Sequence, residues 1–230
     1  MLTSIQSTVG RGSLAVCLAL ALTAPGGTAE RSSAYQFSAD IVSRDASGAV
    51  VGAAARLHVA NRRVRIEMSG AQADFFLIDG DTGSAFFVRQ AQQVFMDARQ
   101  STLLTQIFVP VDPIDPCPKW QAAARNAGMP NAGGDWHCAR IDAKVIDGRG
   151  TLEYHVVSPD QTATQRWIDR DLQFPVKLRS EDGTSIALEH IRVEAQPAIL
   201  FAVPPLYGKF EPQALIERIK HSDVWAEPPH

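Results

Sequence analysis

The sequence predicts an α+β protein built on an antiparallel sheet of about ten or eleven strands, with two or three short helices beside it. Three observations predict this class. Apolar and polar side chains alternate with a period of two over long stretches, as in strands with one buried face. Turn-forming residues recur between those stretches. Helical spacing occurs only in short pieces, without the regular strand and helix alternation that a parallel sheet needs.

The first strand runs from Tyr35 to Arg44 and is closed by the turn Asp45-Ala46-Ser47-Gly48. Val50 to Ala60 is the second, with Leu57 and Val59 on one face and Arg56 and His58 on the other. Asn61-Arg62 turns the chain into Arg63 to Met68, where Val64, Ile66 and Met68 point in and Arg63, Arg65 and Glu67 point out. Asp74 to Asp79 and Ser84 to Arg89 are apolar strands joined through Gly80 to Gly83, and Val94 to Asp97 completes a meander of about six strands. Ala98 to Phe108 carries Leu103, Leu104, Ile107 and Phe108 at helical spacing and reads as a short amphipathic helix. Pro110, Pro113, Pro116 and Pro118 then exclude a regular element, and Lys119 to Ala127 forms a second short helix ending near Gly128.

Strands resume with Trp136 to Ile146, which meets Thr151 to Val157 across Asp147-Gly148-Arg149-Gly150. Gln165 to Asp169, Phe174 to Ser180 and Ser185 to Glu194 follow. In the last of these the apolar set changes face between Leu188 and Ile191, which predicts a bulge near Glu189 and His190. After Ile199-Leu200-Phe201 and Pro204-Pro205, a helix is expected from Glu211 to about Lys220, with Pro212 at an early helical position.

Residues 1 to 29 stand apart. They contain no acid, one base at Arg11, an apolar run from Leu14 to Leu22, and small residues up to Ala29. This is the pattern of a secretory signal cleaved after Ala29, and the run is too short to span about 30 Å of hydrocarbon. An uncleaved anchor is the first alternative. A lipoprotein signal ending at Cys17 is the second, but Val16 before it is branched and the apolar run continues past it. The expected mature chain is a single domain over 30 to 230. Its formal charge is −4 after loss of Arg11 from a chain of net charge −3, so nothing marks it for nucleic acid. The 45% hydrophobic content excludes a disordered chain. Its two cysteines, Cys117 and Cys138, pair most simply as a disulfide in an oxidising compartment, pinning a Pro-rich excursion over 109 to 138. The alternative is a metal site of His137, Cys138 and Cys117, which lacks the usual zinc ligand spacing.

Few residues point to catalysis. Asp81-Thr82-Gly83-Ser84 between apolar strands resembles the loop of an aspartic protease, where two carboxylates share a proton and a single-copy chain dimerises. Asp79-Gly80 interrupts the apolar run before it, and the apolar-apolar-Gly string expected downstream is broken at Val145-Ile146-Asp147-Gly148. A Gly-rich hairpin loop explains the same residues. Asp79 and Asp81 also suggest a calcium loop, without its remaining acidic ligands. His155 and His190 have no serine or cysteine nucleophile to serve. Arg62, Arg63 and Arg65 form a basic patch, either a solvated strand face or an anion contact near a cavity mouth. Surplus apolar side chains collect in the strands around Phe76, Phe87 and Phe95 and on the helix with Leu104 and Phe108. A strongly curved sheet with that helix in its hollow would bury both sets, leaving either a filled core or a cavity for an apolar ligand.

The order of elements resembles the LolA-like superfamily, the periplasmic carriers of outer-membrane lipoproteins and their relatives, and within it a group of exported domains. Leu57-His58-Val59 through Arg65-Ile66-Glu67, Phe76-Leu77-Ile78-Asp79-Gly80 with Gln93-Val94-Phe95-Met96, Trp167-Ile168-Asp169 with Phe174-Pro175-Val176-Lys177, and Leu200-Phe201 through Pro204 to Tyr207 carry the likeness. The resemblance implies a half-barrel with helices over its hollow, no cofactor, and a lipid, lipoprotein acyl group or other apolar ligand held without reaction. It implies an internal arginine, for which Arg65 is the candidate, with Phe76, Phe87, Phe95, Leu104 and Phe108 as ligand-binding candidates. Peripheral contact with a membrane fits such a role. The alternatives are an envelope interaction or sensor domain with a filled core, and the dimeric aspartic protease using Asp81.

Overall fold

The apolar runs Phe75–Asp79 and Ala85–Arg89 do not alternate, and a computed structural model of the protein gives the reason: these strands are covered on both faces. The structure describes residues 36–212 apart from 53–54, 71–73 and 100–103. The signal segment, and all but the first two residues of the helix expected from Glu211, lie outside the described residues.

Twelve strands form one open, curved sheet: β1 (Phe37–Arg44), β2 (Ala55–Ala60), β3 (Arg63–Glu67), β4 (Phe75–Asp79), β5 (Ala85–Arg89), β6 (Val94–Asp97), β7 (His137–Ile146), β8 (Arg149–Val157), β9 (Ala163–Asp169), β10 (Phe174–Ser180), β11 (Ser185–Val193) and β12 (Gly208–Lys209). Their spatial order is β12-β6-β5-β4-β3-β2-β1-β11-β10-β9-β8-β7. Two antiparallel meanders, β1 to β6 and β7 to β11, are therefore joined where β1 pairs with β11. The twelfth strand was not expected: β12 is two residues long and pairs in parallel with β6.

This topology sets the path of the middle segment. It leaves β6 near one edge of the sheet and must reach β7 at the other, and it does so across the inner face. Helix α1 (Leu104–Ile107) and helix α2 (Cys117–Asn126) lie on this path, and Ile107, Phe108, Val109, Val111 and Trp120 join the main core with residues of β1 to β4 and β8 to β11. The first helix is described over Leu104–Ile107, and residues 100–103 of its expected span lie outside the described residues. The Ala98 N–H donates to the Ala85 carbonyl at 2.8 Å, so Ala98 prolongs the ladder rather than starting a helix. The second starts at Cys117, with Pro118 in its first turn where a missing N–H costs nothing, and its end is followed by Gly128 at φ +67°. Ile199-Leu200-Phe201 fall in a 3₁₀ turn, Ala198–Phe201.

The bulge is found where the pattern placed it. Ser38 faces Arg192 and Asp40 faces Glu189, so Ala39 opposes both His190 and Ile191, and His190 adopts φ +52°. Gly80 follows β4 because a Cβ there would lie 2.6 Å from the Arg62 carbonyl, which accepts the Gly80 N–H at 2.8 Å. On the outer face, the segment 198–210 returns over β3 to β6, and Val203 and Tyr207 pack on a second cluster of Phe75, Leu77, Val88 and Phe95. Met68, expected to point in, is exposed.

Candidate ligand site

The six residues singled out for ligand binding do not share one face. Phe76, Phe87, Leu104 and Phe108 meet in the inner core, where the Phe76 and Phe87 rings lie 4.7 Å apart. Phe108 stacks on Phe174 at 6.2 Å, and Phe174 meets Phe37 edge to face at 5.2 Å, so the hollow is filled here. Phe95 lies on the outer face, edge-on to Phe86 at 5.5 Å. Arg65 is also outside, since it pairs across the sheet with His58 and Leu77. Its guanidinium sits 3.4 Å from the Phe75 ring centroid, its Nε donates to Glu67 Oε1 at 2.8 Å, and an Nη donates to the Leu200 carbonyl at 3.2 Å. That set of partners ties the 3₁₀ turn to β3.

The inner face opens at its other end. Between α2 and strands β8 to β10 lies a cleft of about 160 Å³, walled by Ile107, Trp120, Met129, Trp136, Val156 and Leu178. Ser158, Asp160, Thr162, Thr164 and Arg166 bring polar groups to it from β9 and the turn before it, and Gln106 and Ser180 line it as well. Trp120 is held edge-on to Tyr154 at 6.1 Å, and the Tyr154 hydroxyl donates to the carbonyls of Pro113 at 2.8 Å and Ile114 at 3.1 Å. The proline-rich stretch is thus tied to β8, and burial raises the Tyr154 pKa. Cys117 and Cys138 form a disulfide with Cα atoms 5.9 Å apart, fixing the start of α2 to β7. Lys119 donates to the Gly80 carbonyl, tying the same helix to the β4–β5 turn, and burial lowers its pKa.

Arg166 is the unusual member of the cleft. It faces Tyr154 and Leu178 across the ladder and so shares the inner face. Its guanidinium stands 4.6 Å from the Trp120 ring centroid, and its Nε donates to Thr164 Oγ1 at 3.2 Å. Among the described residues no carboxylate pairs with it. Desolvation lowers its pKa to about 10, which leaves it a cation at neutral pH. Trp120 Nε1, in the same wall, is buried without an acceptor among the described residues. Asp160 is turned to its own loop, accepting from Ser158 Oγ at 2.5 Å and Thr162 N at 3.3 Å, and the Ser158 hydroxyl holds its carboxyl below the usual range. Neither Arg166 nor the cleft was picked out from the sequence. The signal present was a charged residue between Thr164 and Ile168 on one parity of β9, but the other parity, Gln165, Trp167 and Asp169, is equally mixed.

The remaining candidates take structural roles. Asp81 is exposed and ion-paired with Arg62, the reverse of the like-charge pair an aspartic protease needs. Asp79 is the working carboxylate of that loop, accepting the N–H groups of Asp81 and Thr82 at 2.9 Å each. His155 is exposed, and His190 bonds Asp40 Oδ2 through Nδ1 at 2.9 Å. The disulfide uses both thiols that a metal site at His137, Cys138 and Cys117 would need.

No family model and no curated protein matches the chain. Several solved structures resemble it. PNGF-II aligns over 81% of the chain at 7% identity with a TM-score of 0.49. MucB aligns over 74% at 17% identity with a TM-score of 0.41, and a LolA superfamily protein from Nitrosomonas europaea over 73% at 12% identity with a TM-score of 0.32. The chain spans 33% of PNGF-II, 57% of MucB and 90% of the Nitrosomonas protein. A LolA superfamily protein is thus among the solved structures similar to this chain.

Proposed function

We propose that the chain is an exported, periplasmic, non-enzymatic binding or carrier domain for a lipid, a lipoprotein acyl group or another apolar ligand, taken at the cleft between α2 and β8 to β10. The signal pattern over residues 1 to 29, cleaved after Ala29, and the paired cysteines of a single domain over 30 to 230 support export. One observation carries the binding assignment: a sheet whose hollow is packed by the rings of Phe37, Phe76, Phe87, Phe108 and Phe174 still leaves an open, mainly apolar cleft under α2, with two tryptophans in the wall. Affinity would come from apolar burial, at about 25 cal/mol per Å² before the costs of association. Phe87, Leu104 and Phe108 would act as the floor that stops the ligand, and Arg65 would act from outside, through the turn it holds.

Native mass spectrometry of the protein purified from its own envelope tests this, with a titration by a fluorescent acyl probe alongside. A co-purifying lipid or saturable probe binding is expected. A clean apo mass with no probe binding would overturn the carrier assignment. It would favour the second reading, an envelope interaction or sensor domain, for which the Phe37, Phe174 and Phe108 stack is the supporting observation.

A further inference from the structure

Arg166 is half-buried in the cleft wall, and among the described residues its guanidinium meets no oxyanion: its neighbours are a threonine hydroxyl and an indole face. The arrangement nevertheless orients it. Its Cζ lies over the Trp120 ring, and the Nε bond to Thr164 sets which edge of the guanidinium is left over. Nε is thereby used inside the protein, while the Nη edge has no protein acceptor among the described residues. Such an edge suits two parallel bonds to a carboxylate or phosphate.

Resting on the assignment of the cleft as a ligand site, we infer that it recognises an amphiphile with an oxyanion head, the head held by Arg166 and the first carbons of the chain laid against Trp120, Trp136 and Leu178. The cleft volume agrees with a head site. At about 160 Å³ it is smaller than the roughly 300 to 1,000 Å³ of pockets that enclose whole ligands, so the rest of the chain leaves through the open side. Asp160 on the same wall opposes an anion, but its carboxylate is engaged by Ser158 and Thr162.

The test is calorimetric titration of the exported, disulfide-intact chain with decanoate, decyl phosphate, decanol, and acetate or inorganic phosphate alone. Decanoate or decyl phosphate should bind about ten to a hundred times more tightly than decanol, the range expected for charge-assisted bonds to one guanidinium. Arg166→Gln should abolish that preference, bringing decanoate and decanol to the same affinity, and Asp160→Asn, which keeps the arginine, should strengthen decanoate binding. Equal affinity for decanoate and decanol would overturn the oxyanion head while leaving an apolar ligand site standing. Acetate or phosphate binding as tightly as the amphiphiles would overturn the chain contacts in favour of a free anion. If none of the probes binds, the ligand-site assignment itself falls.

Discussion

Replacing Cys117 and Cys138 together by alanine removes the covalent link between the start of α2 and edge strand β7. The residues are 21 apart in sequence, so loss of the cross-link returns about 3 kcal/mol of chain entropy to the unfolded state at 25 °C. Against a domain stability of about 5 to 15 kcal/mol this is a large fraction. With a urea slope of about 2 to 3 kcal/mol per molar, the midpoint should fall by about 1 to 1.5 M. The full amount is expected only if the excursion unfolds together with the sheet. Trp120 is 2% exposed in the main core and Tyr154 of β8 holds the carbonyl of Pro113, so release of α2 uncovers β8 to β10. Urea melts followed by tryptophan fluorescence, to which Trp120 and Trp136 contribute along with Trp167 and Trp225, and by far-ultraviolet circular dichroism, which reports the sheet, should therefore shift together. An unchanged midpoint, or a fluorescence transition that moves while the dichroism stays in place, would refute the excursion as an integral part of the core.

Asp169→Ala should cost about 3 to 5 kcal/mol by thermal or urea denaturation, because the fully buried carboxylate pairs with Arg149 and accepts the N–H groups of Asp171 and Leu172 at 2.9 Å; a loss under 1 kcal/mol contradicts this. Asp79 is held below its usual 3.8, first by the backbone N–H of Thr82 and then by that of Asp81. Its contribution is thus present above about pH 4 and lost as pH falls through the lowered value, so Asp79→Asn should flatten the acid limb of a stability profile, and an unaltered limb refutes the assignment. Phe108→Ala, removing the ring stacked on Phe174, should cost about 3 to 5 kcal/mol in a urea melt. Leu206 is 99% exposed at φ +76°, so Leu206→Gly should leave thermal stability unchanged or raise it by up to about 1 kcal/mol, and a fall in Tm would refute the strain.

The strands with one covered face were legible because alternation reports a single boundary between core and water. Leu57 and Val59 against Arg56 and His58, and the face change that located the bulge at His190, are of this kind. Where both faces are covered the signal disappears: Phe75-Phe76-Leu77-Ile78 reads as uniformly apolar, and nothing local says that Phe76 points to the α1–α2 segment while Phe75 and Leu77 point to the returning chain at 198–210. For this reason sequence alone groups Phe95 with Phe76 and Phe87, although it packs on the outer cluster. Alternation places Arg65 on the outward face, but it says nothing of what lies there, and Phe75 and the Leu200 carbonyl cover it. The disulfide was legible from count and compartment alone. The cleft was not, because it depends on how α2 lies over strands about 30 to 60 residues later in the chain.

The path of the excursion explains why the hollow is filled at one end and open at the other. Leaving β6 and bound for β7, the chain first lays Ile107, Phe108, Val109 and Val111 on the sheet, large side chains that pack it solid against Phe37 and Phe174. It then lays down α2, whose sequence KWQAAARN presents Trp120 and Ala124 as its buried residues, one large and one small. A helix with alanine at its second buried position cannot fill the distance to Val156 and Leu178, so the gap between it and the strands persists as the cleft. A larger core residue at Ala124 would close that gap and add apolar burial. The same position that leaves the core short of packing thus keeps Arg166 within reach of a ligand, which places the cost of an unfilled core and the opportunity for binding on the same two turns of helix.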